Sequence, residues 1–134
     1  MASSHTFEVQ VYYEDTDFSG VVYHANYLRY FERAREHVLG AGELVRLWRD
    51  EKKGFVVYKA NQQFKEGAVF GDLLEIQSSA RLESEYRVVF DQRAVRKADG
   101  RLLVEAVIEM VVIDGNRHPV PIPLTEKLRA MMAT

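Results

Sequence analysis

Between Tyr13 and Tyr27 the hydrophobic period of this chain changes from that of a strand to that of a helix, and this change limits the folds open to it. Thr6–Tyr13 alternates, with Phe7, Val9, Val11 and Tyr13 on one side and Glu8, Gln10 and Tyr12 on the other. Further on, Tyr27, Phe31, Ala34 and Val38 recur at i, i+4, i+7 and i+11, while Arg29, Glu32, Arg33 and Glu36 take other faces. The spacing predicts a helix over about His24–Leu39, with Gly40 and Gly42 offering its stop. A shorter helical piece, Glu43–Lys52, is expected next.

Sheet follows. Phe55–Phe64, Leu73–Leu82, Tyr86–Arg96 and Leu102–Ile113 read as strands. Turn signals part them at Gly67 and Gly71–Asp72, at Glu83–Glu85 and at Asp99–Gly100. Leu102–Val112 is apolar at almost every position except Glu105 and Glu109, which predicts a central strand covered on both faces. Pro119, Pro121 and Pro123 imply an extended tail, and Thr125 can cap a last helix, Glu126–Met132. One amphipathic helix must bury its stripe against something, and the later strands supply it. The expected class is therefore α+β, an antiparallel sheet wrapped around one long central helix. The outer face of that sheet then needs its own cover, so oligomers are expected.

The 134 residues fit a single domain, 1–134, able to hold a core without covalent staples. There is no cysteine, which excludes disulfides, thiolate metal sites and cysteine nucleophiles. A net charge of −2 without a basic block gives no sign of nucleic-acid binding. No run approaches the roughly 18 apolar residues of a membrane helix, so no membrane insertion is expected. MASSHTFEVQ has neither the basic start nor the apolar run of a secretory signal, and a cytoplasmic location is the expectation. His5, His24, His37 and His118 show no metal-binding spacing.

The chemistry of the chain centres on EDTDFSGVVYHANY, Glu14–Tyr27. Asp15, Asp17, Ser19 and Gly20 match the opening of a calcium loop, but its last ligand would be Asn26 rather than glutamate, and a strand precedes it. Asp, Thr, Ser and Gly are also the residues of an ordinary strand-to-helix turn. The third reading is chemical. The first N–H groups of a helix have no internal partner and can polarise a carbonyl oxygen. Gly20 would let a ligand approach the backbone. A carboxylate on the same loop can attack that carbonyl or deprotonate a water. A thioester suits such sparse machinery, because its thiolate leaves readily. Among these three, composition alone does not choose.

The run VYYEDTDFSGVVYHANYLRYFERARE, Val11–Glu36, closely resembles the opening of the 4-hydroxybenzoyl-CoA thioesterase family, above all its bacterial YbgC-type branch associated with the Tol–Pal system. The resemblance continues more weakly through the strands. It implies a hotdog fold, homodimers or homotetramers with active sites between subunits, and hydrolysis of a short-chain or aromatic acyl-CoA without a cofactor or metal. By the same resemblance Asp17 is catalytic and the backbone N–H near His24 polarises the thioester carbonyl. The His24 side chain is expected to help bind or orient substrate. Phe18, Gly20, Val21, Val22, Tyr23 and Tyr27 fall at substrate-binding positions, with Asp15 and Asn26 in support. Phe18 and Ser19 depart from the family's usual residues, and the bulk of Phe18 puts the acyl group in question. Acyl carrier protein is a second carrier the reading admits. The rival readings are a hotdog module that binds an acyl carrier or protein partner without catalysis, and a hotdog hydratase, whose Asp–His dyad motif is not found here.

Three further expectations concern the remaining polar residues. Glu32 and Arg35, three apart, suggest a surface ion pair. Tyr12, Tyr13, Tyr23, Tyr27 and Tyr30 suggest packing, with some lining an acyl pocket. Arg87, Arg93, Arg96, Lys97 and the Arg117–Pro119 stretch are read first as solvated surface and second as ligands for the phosphates of coenzyme A.

Overall fold

The computed structural model describes residues 4–132. The chain runs β1 (His5–Gln10), a 3-10 turn (Tyr13–Asp15), α1 (Asn26–Leu39), α2 (Ala41–Glu51), β2 (Gly54–Phe64), β3 (Leu73–Ser84), β4 (Arg87–Arg96), β5 (Leu102–Ile113), β6 (Pro119–Val120) and α3 (Glu126–Met132). The sheet is antiparallel, in the order β1-β3-β4-β5-β2, and β6 pairs with the end of β5. It wraps α1 in the hotdog arrangement expected from the resemblance.

A helix of 14 residues is marginal alone in water, so α1 depends on what it buries. Its stripe of Tyr27, Tyr30, Phe31, Ala34 and Val38 shares one core with Val9, Leu74, Ile76, Val88, Phe90 and Ala94 of the sheet. A polar pin fixes its register. Buried Gln92 of β4 donates to the Phe31 carbonyl at 3.0 Å and to Ser78 Oγ at 2.9 Å, and accepts from Arg35 Nη1 at 2.9 Å. Arg35 is thus buried under the helix, and the expected surface pair with Glu32 does not form. Burial holds the Arg35 guanidinium below its ordinary pKa.

β1, β5 and the proline tail each differ from expectation. β1 stops at Gln10 because the Val11 backbone bonds to the 71–72 turn instead, donating to Asp72 O and accepting from Gly71 N–H. Tyr13 then leaves the predicted strand face and stands exposed. β5 is central but covered on one face only: Val104, Ala106, Ile108 and Met110 are buried, whereas Glu105, Val107, Glu109 and Val111 are partly open on the other. The proline tail is not wholly extended coil, since Pro119 and Val120 form β6. The predicted cap of α3 is present, with Leu128 N–H donating to Thr125 Oγ1 at 3.2 Å. Among the described residues no helix is long and apolar enough to cross a membrane.

Candidate active site

Two backbone bonds close the loop between the 3-10 turn and α1. Asp17 N–H donates to Val21 O at 2.9 Å, and Gly20 N–H donates to Asp17 O at 3.0 Å. Gly20 sits at φ +90°, a conformation that side chains with a Cβ rarely adopt. Asp15 ties the base of the loop. Its Oδ2 accepts from Tyr12 N–H at 2.9 Å, and its carbonyl accepts from both Tyr23 N–H and Asn26 Nδ2 at 2.9 Å. Asp15 and Asn26 therefore join the loop to the first turn of α1.

Asp17 is exposed at the tip. Its Oδ1 accepts from Ser19 Oγ at 2.6 Å and from Ser19 N–H at 2.8 Å. These two bonds, the hydroxyl first, hold its carboxyl below the usual aspartate range. Its Oδ2 has no hydrogen-bond partner among the described residues, so one oxygen is fixed and the other is open.

The helix begins two residues later than predicted, at Asn26, with Ala25 as an N-cap that makes no side-chain cap bond. The His24 N–H has no acceptor among the described residues. It lies two residues before the first residue of α1, near the helix's positive end, where a developing negative charge is favoured. The His24 ring is exposed, 4.4 Å from the Tyr23 ring and 6.3 Å from the Phe64 ring, centroid to centroid.

Asp17, Val21, Val22, His24 and Tyr27 line one cleft of about 390 Å³, together with Phe64, Lys65, Glu66 and Gly67. The other sequence-derived positions do not line it. Gly20 shapes the loop, Asp15 and Asn26 brace it, Tyr23 stands partly exposed beside His24, and Phe18 is fully exposed. Tyr30 is buried in the core, and burial pushes its phenol pKa up. Several basic residues read as surface are paired with carboxylates: Arg87 with Glu109, Arg96 with Asp99, and Lys97 with Glu8. No group of three metal-ligating side chains gathers among the described residues.

The opposite wall, Phe64–Val69, was missed as part of the site. Val22 N–H donates to Ala68 O at 2.9 Å, Val21 bridges to Val69, and Ala68 N–H donates to the Tyr27 hydroxyl at 3.2 Å. A Cβ on Gly67 would fall 2.8 Å from Val21 Cγ1, so only glycine permits this approach. The available signal was the small pair Gly67–Ala68, which reads equally well as a simple turn.

The family model of the thioesterase-like superfamily matches residues 11–131. The acyl-CoA thioester hydrolase YbgC of Escherichia coli O6:H1 is 39% identical over 92% of this chain and 86% of its own. The acyl-CoA thioesterase YbgC of Haemophilus influenzae is 35% identical over 88% of each chain. The crystal structure of a 1,4-dihydroxy-2-naphthoyl-CoA thioesterase from Synechocystis superposes with a TM-score of 0.83 at 27% identity, over 90% of each chain.

Proposed function

The chain belongs to the thioesterase-like superfamily, and from that membership together with the loop geometry we propose that it hydrolyses the thioester of a short-chain or aromatic acyl-CoA to the free acid and CoA. The observation that carries the reading is the pairing, in one cleft, of a carboxylate with one open oxygen and the helix end bearing the unpartnered His24 N–H.

In this reading the thioester oxygen accepts from the His24 N–H, which stabilises the oxyanion as it forms. Asp17 Oδ2 then acts in one of two ways. As a nucleophile it forms a bond to the carbonyl carbon while the C–S bond breaks, and water hydrolyses the resulting anhydride. As a general base it takes a proton from the water that attacks the same carbon. A single turnover in 18O-labelled water separates the routes, because only the nucleophilic one can leave label in the Asp17 carboxylate. Val21, Val22, Tyr27 and Phe64 supply apolar wall for the acyl group. Phe18, fully exposed and outside the cleft lining, does not contribute to that wall.

The assembly belongs to the same reading. β2 is a sheet edge, and Val56, Val57 and Tyr58 along it are exposed, as are Phe18, Phe70 and the cleft residue Phe64. A long apolar edge left bare invites pairing with another strand. A second copy is the proposed partner, giving a homodimer or, with two dimers paired, a homotetramer. Acyl carrier protein is kept as an alternative carrier of the acyl group.

The test of the reaction is free-thiol release from a panel of short-chain, long-chain and aromatic acyl-CoAs, with the same acyl groups on acyl carrier protein. Release from short-chain or aromatic acyl-CoA supports the reading. Binding of every member with no thiol released would favour the non-catalytic module.

A further inference from the structure

The wall facing the Asp17 loop is itself held from behind by charge. The segment 66–72 clasps the loop through Gly67, Ala68 and Val69, and it begins and ends with a carboxylate, Glu66 and Asp72. Both face one guanidinium at the end of β4. Arg96 Nη2 lies 3.5 Å from Glu66 Oε2, and Nη1 lies 3.7 Å from Asp72 Oδ2. Asp99, in the β4–β5 turn, holds Arg96 in place, with Oδ2 at 3.0 Å from Nη2 and Oδ1 at 3.2 Å from Nε. Arg101 adds a second cation, 2.6 Å from Glu66 Oε1 and 3.6 Å from Asp99 Oδ2. Asp72 is the only one of the three carboxylates that Arg101 does not reach, and its Oδ2 also accepts from Val69 N–H at 3.0 Å.

We propose that Arg96 is a positioning residue for the hydrolysis: by drawing Glu66 and Asp72 to one guanidinium it keeps segment 66–72 closed on Val21 and Val22, and so holds the Asp17 loop against the start of α1. The inference rests on the hydrolytic reading above. Without Arg96, Glu66 and Asp99 would share one cation, Arg101, and Asp72 would have none. Repulsion would then loosen the Val69 turn and, through the Val21–Val69 bridge, the nucleophile loop. The network is partly exposed, so salt should weaken it. The guanidinium fork also matters, because an ammonium cannot face two carboxylates in fixed directions.

The experiment measures kcat, KM and melting temperature for wild type, Arg96→Gln, Arg96→Lys and Asp72→Asn on one accepted acyl-CoA, from low to high NaCl. Arg81→Gln, which removes an ion pair to Asp91 away from the cleft, is the control. A misplaced catalytic group lowers turnover steeply, so Arg96→Gln is expected to lose roughly tenfold in kcat with KM within about threefold. Arg96→Lys recovers part of the loss, Asp72→Asn reproduces part of it, and the control matches wild type. Wild-type kcat falls toward that of Arg96→Gln as salt rises, while the variant stays flat. An unchanged kcat in Arg96→Gln overturns the proposal, as does a rise in KM alone, which would mark Arg96 as a phosphate ligand. Should Arg96→Gln fail to fold, Asp72→Asn and the wild-type salt profile decide, and wild-type turnover indifferent to salt counts against it. Absence of thiol release from wild type would instead overturn the underlying reading of function.

Discussion

At the scale of single residues, the proposed hydrolysis depends on an Asp17 that is kept ionised yet available. Ser19 donates twice to Oδ1 and leaves Oδ2 open. Because both bonds lower the Asp17 pKa, removing the hydroxyl one raises it while the Ser19 N–H bond stays, and a larger protonated fraction follows in the acid range. Ser19→Ala should therefore move the acid limb of the kcat/KM–pH profile to higher pH while leaving the plateau near neutrality close to wild type. An unmoved limb would mean that a different group titrates there. Tyr27 is the second telling residue. Its hydroxyl accepts the buried Ala68 N–H, and Tyr27→Phe leaves that donor without a partner. A loss of about 1–3 kcal/mol in denaturant unfolding is expected, with lower turnover as the Ala68–Val22 contact relaxes. That Asp17 and Tyr27 come to one cleft was legible in the sequence, because their run is long and local. The duty of the Tyr27 hydroxyl was not, since it depends on a backbone group from a distant loop.

At the scale of elements, α1 was legible because its stripe obeys a single period and its burial follows from that period. The end of β1 was not. Tyr13 continues the alternation, yet the Val11 backbone is claimed by the 71–72 turn, and alternation carries no information about such a partner. Arg35 misled for a similar reason. Spacing on the helix offered Glu32, whereas the real partner, Gln92, lies 57 residues away in the chain. Since Gln92 also holds the Phe31 carbonyl, Gln92→Ala strips a buried guanidinium of its acceptor and unpins the helix from the sheet. A cost of about 2–3 kcal/mol is expected from urea unfolding, and Gln92→Glu, which keeps an acceptor, should cost less. Gly67→Ala tests the contact between the two loops. Its Cβ must displace Val21, so activity should fall more than stability does.

At the scale of the whole molecule, the sheet order leaves β2 at an edge, with exposed apolar side chains. The sequence predicts that a sheet around one helix needs further cover and places that need on the outer face, where β5 presents Glu105, Val107 and Glu109. The proposed second copy makes a direct prediction: sedimentation should give twice the chain mass or a multiple of it, and Val57→Asp should shift the equilibrium toward single chains. A wild-type protein that sediments as single chains at micromolar concentration would remove the dimer from the account. The proposed catalysis depends above all on the Asp17 carboxylate, and Asp17→Asn puts that role to the test. The substitution keeps the shape of the side chain and the Ser19 contact while removing the charge. With one accepted acyl-CoA, wild type and variant should bind alike, and thiol release should fall by about two to four orders of magnitude in the variant. Turnover by Asp17→Asn close to that of wild type would contradict the account.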